Sequence, residues 1–260
     1  MEAPTAQMRD RCALLLILPQ ENFKESNFAV FNRYCRMKGN VVIVLIVFLF
    51  AFSCSTTRVN KERKIEERPS VRCMENSPER RGEEGCTILT NRPLVGSLPK
   101  NVYWHIDVFD SIGAAMKMAG PNGVAIEAHG SFWRLAVEDK TENHHGGHHV
   151  AWIGPLVLPA TDGFSMRVQS SLLNPGSTTP VHTHSGPEVF FIVDGEQCIE
   201  MLDSSQHLGA GQSYVVPART VHRGRVIGSV PRRALALIVY EAAYAASSDI
   251  DKSPSLSSCK

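Results

Sequence analysis

The most informative segment of this chain is Gly176-Ser-Thr-Thr-Pro-Val-His182-Thr-His184-Ser-Gly-Pro-Glu188-Val-Phe-Phe-Ile-Val-Asp-Gly195. Two histidines stand one residue apart, and residues i and i+2 of a β-strand point to the same face of a sheet. Both imidazoles are therefore expected to converge on one point, with Glu188 returning from the far side of a short Ser-Gly-Pro turn. This pattern predicts a mononuclear metal site built on β-strands.

A second segment, Gly211-Gln-Ser-Tyr-Val-Val-Pro217-Ala-Arg-Thr-Val-His222, supplies a candidate fourth ligand. Its apolar strand runs into a proline turn, and His222 follows five residues after the proline. Imidazole and carboxylate ligands suit Fe(II), Mn(II), Ni(II), Cu(II) or Zn(II), and the order of affinity alone does not choose among these metals. If His222 does not reach the metal, two histidines and one carboxylate remain, which is the facial arrangement of non-haem iron sites.

The spacings G-x5-H-x-H-x3-E-x6-G and G-x5-P-x4-H in these segments resemble the two signature motifs of the cupin superfamily. The resemblance is to single-domain, quercetin-dioxygenase-like cupins and covers roughly residues 150–242. It implies a small antiparallel, jelly-roll-like β-barrel that binds one divalent metal through the three histidines and the glutamate. It also implies a homodimer formed through edge strands. The second motif departs from the family at Arg219, where glycine is usual, and lacks the asparagine that usually follows the histidine.

Short apolar runs separated by Gly, Pro, Asn and Asp predict a mainly β domain. The predicted strands are 102–109, 124–128, 132–137, 150–153, 166–172, 188–193, 197–202, 214–216 and 234–240. One short helix is predicted to begin at an Asp110 cap and to stop at Gly120-Pro121. No internal repeat is evident, which favours one barrel over a duplicated pair.

Composition divides the chain into five segments. They are an upstream extension that is not native at 1–36, a signal peptide or lipoprotein signal at 37–54, a flexible tether at 55–100, the β-barrel domain at 101–242 and a disordered tail at 243–260. The apolar run 41–52 is short for a membrane span but suits the hydrophobic region of a secretory signal. The sequence around Cys54 resembles a bacterial lipoprotein signal, with simple cleavage before it or an uncleaved membrane anchor as alternatives. The protein is thus expected in the periplasm or cell envelope.

The overall composition excludes several classes of protein. The 260 residues are 43% hydrophobic and carry a net charge of +1, which is enough for one core and gives no basic surface for nucleic acid. Seven cysteines lack a C-x2-C pair, so a structural zinc site is not indicated. Cys73 and Cys86 flank a polar loop and either form a disulfide or stay as free thiols, whereas Cys198 is expected to be a packing residue.

A second group of histidines lies at His144-His145-Gly-Gly-His148-His149. Four imidazoles around a glycine hinge could bind metal as a shuttle or a lid. The alternative is an exposed tract with adventitious metal affinity, because a flexible loop loses much backbone entropy when it forms a defined site. The isolated residues His105, His129 and His207 are expected to be structural or surface residues.

Strand alternation predicts which side chains share the pocket with Glu188. The expected lining is Phe190, Ile192, Gln197, Ile199 and Met201. Such a mainly apolar pocket with one amide suits a small, partly aromatic or oxygenated organic ligand better than a phosphorylated sugar.

Three functions fit an exported metal-binding barrel of this kind. The first is oxidative cleavage of a small organic substrate with O2, as the resemblance implies. The second is Lewis-acid isomerisation or hydrolysis. The third is binding or sensing of a small ligand at the cell envelope without turnover. Tyr214, Glu200 and Tyr240 are the candidate general bases, and the sequence alone does not choose among the three functions.

Overall fold

The computed structural model describes residues 68, 70–140, 146–252 and 254–259, all within one compact unit, Glu62–Lys260. The predictions for segments 1–36 and 37–54 and for Cys54, His144 and His145 fall outside these residues. The strands are β1 Cys73–Met74, β2 Gly85–Pro93, β3 Val102–Phe109, β4 Gly123–Ala128, β5 Ser131–Glu138, β6 His148–Leu156, β7 Phe164–Leu173, β8 His182–Thr183, β9 Glu188–Asp194, β10 Glu196–Met201, β11 Ser205–Gly209, β12 Ser213–Val216, β13 His222–Val226, β14 Arg232–Glu241 and β15 Ser248–Asp249. A 3-10 helix spans Pro78–Arg81, and helix α1 spans Ile112–Met118. Over the described residues, no helix has the length and hydropathy needed to span a membrane.

The strands form three sheets. A six-stranded central sheet has the order β1-β2-β7-β14-β9-β12, a five-stranded sheet has the order β11-β10-β13-β8-β15, and a four-stranded sheet has the order β4-β5-β3-β6. Neighbouring strands pair antiparallel apart from β1 and β2, which are parallel.

The central sheet is covered on both faces. On β14, Leu235, Leu237 and Val239 pack with β3 and β5 of the four-stranded sheet in one apolar cluster. The alternate residues Ala234 and Ala236 pack toward β10 of the five-stranded sheet in a second cluster. Because both faces are buried, β14 is an almost continuous apolar run rather than an alternating one.

The mainly β fold with one short α-helix is confirmed. Ser111 is the N-cap of α1, because its hydroxyl accepts from the N–H of Ala114 at 3.2 Å, so the cap lies one residue after the predicted Asp110. The strands form three sheets, and the central and five-stranded sheets enclose a pocket. The central strands are apolar on both faces, and the four-stranded sheet is the layer that covers the second face.

The predicted flexible tether at 55–100 is corrected over its described part. Strand β2 pairs with β7 from Gly85 to Pro93, so this segment is an integral strand of the central sheet. Cys73 and Cys86 form a disulfide between β1 and β2, which decides between the two alternatives left open by the sequence. The folded domain therefore begins well before residue 101.

The predicted disordered tail at 243–260 is also corrected. Strand β15 pairs with β8, and the N–H of Ser257 donates to the carbonyl of Met201 at 2.8 Å. A second disulfide joins Cys259 to Cys198, which is fully buried in β10. Main-chain hydrogen bonds and a disulfide, rather than a periodic row of apolar side chains, hold this segment in place. Its sequence therefore lacks the periodic apolar residues from which a strand is predicted.

Candidate metal centre

The four predicted ligands come together between the central and five-stranded sheets. His182 in β8 lies directly opposite His222 in β13, and His184 follows β8. Glu188 begins β9 of the central sheet after the Ser185-Gly186-Pro187 turn. One candidate ligand atom from each of the four side chains lies within 4.8 Å of the others. The described residues contain no second group of three or more metal-ligand side chains.

Glycine is needed in the turn between the two sheets. A Cβ on Gly186 would lie 2.0 Å from the carbonyl oxygen of Val239, which no real side chain tolerates. The backbone of the turn thus packs directly against β14, and this contact sets the position from which Glu188 faces the histidines.

Each of the three imidazoles is oriented by a backbone carbonyl. The Nδ1 atoms contact the carbonyl oxygens of Pro180 for His182 (2.8 Å), Thr220 for His222 (2.9 Å) and Ala246 for His184. A carbonyl can only accept, so each Nδ1 carries the proton and donates it. In the neutral ring this leaves the Nε2 lone pair directed away from the carbonyl, which is the tautomer of a metal-binding histidine with an oriented outer partner.

The three Nε2 atoms converge on one carboxylate oxygen. Glu188 Oε2 lies 2.7 Å from Nε2 of His222, 3.1 Å from that of His184 and 3.9 Å from that of His182. Neutral imidazoles of this tautomer and a carboxylate are all acceptors, so the cluster needs a cation or a proton at its centre. Three nitrogens and one oxygen fit Zn(II) or another first-row divalent metal.

The pKa values agree with an ionised carboxylate at the centre of the cluster. Burial, together with the neighbouring His222, lowers the pKa of His182 to about 4, so this ring is neutral at pH 7. Burial opposes ionisation of Glu188, but the adjacent His184 and the hydrogen bonds from His184 and His222 outweigh it and hold the pKa below its usual range. For His184, burial lowers the pKa, but the Glu188 carboxylate and the carbonyl of Ala246 together outweigh burial and raise the pKa above its ordinary value. A positive charge is therefore favoured beside an ionised carboxylate.

Arg219, the residue at a glycine position of the second motif, keeps the backbone conformation that glycine favours. Its φ is 62°, in the left-handed region. Its N–H donates to the carbonyl of His184 at 2.7 Å, and its guanidinium pairs with Glu241. The turn before His222 therefore forms despite the substitution.

A pocket of about 250 Å³ opens beside the four-residue cluster. Phe190 lines it as predicted, while Ile192, Ile199 and Met201 pack in the adjoining apolar cluster. The pocket is more polar than the sequence predicts, because its lining includes Arg167, Gln169 and Ser171 of β7 and Arg232 of β14. These strands lie outside the two motifs, and only the three-dimensional pairing brings them to the ligands.

The remaining predicted residues lie outside the pocket lining. Glu200 accepts from Arg223 and Arg225, the Tyr240 hydroxyl donates to Asn91, and Tyr214 packs against the apolar cluster. Gln197 is fully buried, and neither of its amide atoms has a hydrogen-bond partner among the described residues.

The isolated histidines have the structural or surface roles expected of them. His105 is buried, His129 Nε2 donates to the carbonyl of Ala234, and His207 lies exposed beside Glu196. In the second histidine group, His149 contacts Asp107 at 2.9 Å and His148 is exposed at the start of β6.

A comparison with known families finds a match that covers this region. Residues 170–239, which run from β7 to β14 and include all four candidate ligands, match the family model Cupin_2, described as a cupin domain. No curated protein matches the chain.

Solved structures with local similarity include cupins and cupin enzymes. The DMSP lyase DddQ from Ruegeria pomeroyi DSS-3 is 25% identical over 32% of this chain and 42% of its own, with a TM-score of 0.29. A cupin-like protein from Thermotoga maritima is 13% identical over 36% of this chain and 83% of its own, with a TM-score of 0.31. An oxalate oxidase in complex with glycolate is 23% identical over 30% of this chain and 42% of its own, with a TM-score of 0.26. The match to the lyase thus spans less than half of that chain. Over residues 170–239, the present chain is thus similar to the cupin domain family.

Proposed function

We propose that this protein binds one divalent transition metal through His182, His184, Glu188 and His222 and uses it for dioxygenase-like oxidation of a small organic substrate. The observation that carries the proposal is the convergence of three oriented Nε2 atoms on a buried carboxylate. An Fe, Mn, Ni, Cu or Zn ion held by these four residues would supply Lewis acidity and, where the ion is redox-active, oxidation chemistry with O2.

The protein contributes orientation and burial of the ligand side chains to this chemistry. The three carbonyl contacts hold the imidazoles in place, and His184, Glu188 and His222 are each at most 5% exposed. The pocket lies on one side of the cluster and is lined by His182, His184 and Glu188 themselves. A small molecule in this pocket would therefore lie against the metal ligands.

A second candidate, a binding or sensing module without turnover, is supported by the shortage of general bases. Among the described lining residues, Asp249 is the one carboxylate besides Glu188, and it pairs with Arg72. This shortage counts most against Lewis-acid isomerisation or hydrolysis, which need a proton acceptor. O2 consumption by the metal-loaded protein with catechols or flavonols would favour the oxygenase, and ligand binding without O2 consumption would favour the module.

Export to the periplasm or cell envelope is part of the proposal. Two disulfides, Cys73–Cys86 and Cys198–Cys259, support it because such bonds persist in oxidising compartments. Membrane attachment through a lipid on Cys54 and assembly as a homodimer are proposed from the signal-like sequence and from the family resemblance. The mass of the mature N-terminus and the molar mass in solution test these two points.

The test of the metal site is elemental analysis of the tag-free protein beside the double variant His182→Ala/His184→Ala. We expect about one equivalent of metal in the unsubstituted protein, lost in this variant and kept in the matched control His148→Ala/His149→Ala. Iron, manganese, nickel or copper would support the oxygenase, and zinc would support binding or Lewis-acid chemistry. Absence of metal from the unsubstituted protein, or equal loss in both variants, would overturn the proposed site.

A further inference from the structure

Two arginines on the pocket face of the central sheet lack a carboxylate partner among the described residues. Arg232 is 2% exposed, its Nη1 donates to the hydroxyl of Ser171, and its Nε has no hydrogen-bond partner. The Nε of Arg167 is likewise buried without a partner. Both side chains line the pocket beside the metal ligands.

A buried arginine elsewhere in the same fold, Arg134, does have carboxylate partners. Arg134, at 1% exposure, donates to Asp107 at 2.9 Å and to both oxygens of Glu138 at 2.7 and 2.8 Å. Burying a guanidinium without such partners is unfavourable, because the charge loses its hydration and gains nothing in return. Arg232 therefore lacks the compensation that makes Arg134 a structural residue.

The charge at the pocket is retained and is not cancelled locally. Burial lowers the pKa of Arg232 to about 10, which still leaves the side chain protonated at pH 7. Arg72 and Asp249 also line the pocket, but they pair with each other. Arg167 and Arg232 thus give this wall of the pocket a positive character.

Strand register places the two arginines at different distances from the metal ligands. Arg167, Ile238 and Glu188 occupy one cross-strand row of β7, β14 and β9. Gln169 and then Ser171 follow on the same face of β7, each step about 7 Å farther along the strand. The guanidinium of Arg232 reaches the Ser171 position through its hydrogen bond.

Small residues leave room along this polar row. Ala236 pairs with Gln169, and Ala234 pairs with Ser171, so β14 presents only methyl groups between the polar row and β9. The resulting pocket of about 250 Å³ falls below the roughly 300–1,000 Å³ of sites for drug-sized ligands.

We propose that the pocket binds a short dicarboxylate, with one carboxylate at Arg167 beside the metal ligands and the other at Arg232 and Ser171. Two carboxylates match the two guanidinium charges, and arginine is well suited to carboxylate recognition because its planar donors fit both oxygens. Gln169 lies between the two ends and is placed to hydrogen-bond a polar group of the ligand. That this acid is the substrate rests on the proposed function; that it binds does not.

The test is calorimetric titration of the metal-loaded protein with malonate, succinate and glutarate, with succinamide as the uncharged counterpart. We expect at least one diacid to bind and succinamide not to bind. Arg232→Met and Arg167→Met should each weaken diacid binding at least tenfold. The matched control is Arg233→Met, because Arg233 is the next residue on β14, is exposed and pairs with Asp194. Failure of all three diacids to bind, or equal weakening in the control, would overturn the proposal.

Two further measurements distinguish failure of this proposal from misfolding of a variant and from failure of the metal proposal. If Arg232→Met does not fold, Arg232→Lys, which keeps the charge and loses the planar donors, should fold and bind the diacid more weakly than the unsubstituted protein. Unchanged affinity in that variant would overturn the role of Arg232. If the unsubstituted protein holds no metal but still binds a diacid in an arginine-dependent way, the metal proposal fails while this one stands.

Discussion

The two faces of the central sheet are built from alternate residues of the same strands, yet only the face toward the five-stranded sheet combines an apolar cluster with a pocket of buried charged groups. Toward the four-stranded sheet, β7, β9 and β14 present only apolar side chains to the larger cluster, among them Val168, Val189 and Leu237. Toward the five-stranded sheet, the same strands present Glu188, Arg167 and the other polar residues of the pocket.

This difference separates the source of stability from the source of function. The apolar face gains free energy for every side chain it buries. The pocket face buries charged groups that lose hydration. The free-energy cost of burying them is offset only when a metal or an anion binds to them. Substitutions on the two faces should therefore have different signatures, one on unfolding and the other on binding.

The largest expected effect is on the apolar face. Leu237 is fully buried between Val168 and Val189, its partners on the neighbouring strands. Leu237→Ala should lower the free energy of unfolding by about 2–5 kcal/mol, since it leaves a cavity that the packed layers cannot fill. Denaturant unfolding measures this, with Val157→Ala at an exposed position as the control. A loss below about 0.5 kcal/mol would show that this face is not tightly packed.

The next effect is on the pocket face. Glu188→Ala should weaken metal retention by about a hundredfold or more, because it removes the one carboxylate of the cluster. Dialysis against a graded chelator series, followed by elemental analysis, measures the change. Glu196→Ala is the control, because Glu196 is exposed on β10 beside His207. Equal retention in the two variants would remove Glu188 from the ligand set.

A smaller effect is expected on the pH dependence of the unfolding free energy, at His129 on the side of the central sheet away from the pocket. Burial is the main cause that lowers the pKa of His129 below 6.5, although the carbonyl of Ala234 and Glu79 oppose it. The unfolded chain then binds the proton more tightly, so the contribution of His129 to stability is present above pH 6.5 and declines as pH falls from there toward the folded pKa.

His129→Asn should reduce this pH dependence. Asparagine tolerates the left-handed backbone at this position, where φ is 54°. The slope of unfolding free energy against pH, measured on metal-free protein with intact disulfides, should fall by about 1 kcal/mol per pH unit or less below pH 6.5. The exposed His148→Asn serves as the reference variant. An unchanged slope in His129→Asn would show that His129 titrates as it does in the unfolded chain.

The smallest effect is expected at Arg219. Arg219→Gly relieves the strain of the left-handed backbone but increases the conformational entropy of the unfolded chain. It also removes the ion pair with Glu241, in which the arginine side chain is 64% exposed. We expect a net change in unfolding free energy within about 1 kcal/mol and unchanged metal content. A marked loss of metal would mean that the Arg219 side chain, rather than the turn, positions His222.

Prediction from sequence succeeded where periodicity and spacing carry the information. Strands such as β3, β7, β9 and β14 were recognisable because apolar residues recur along them. Segments held by other forces are not recognisable in this way: the polar sequence of β2 predicts a tether, and the sequence after residue 243 predicts disorder. Backbone pairing and disulfides stabilise both, and neither leaves a hydrophobic pattern.

The mainly β fold and the four candidate ligand positions can be predicted from local properties of the chain, namely a two-residue alternation and the spacing of His182, His184, Glu188 and His222. Tertiary structure decided what surrounds them. Only the pairing of β7 and β14 with β9 brings Arg167 and Arg232 to the pocket, and only β15 brings the Ala246 segment to His184. Contacts between residues 60 or more positions apart depend on how the sheets stack, and no local pattern encodes that stacking.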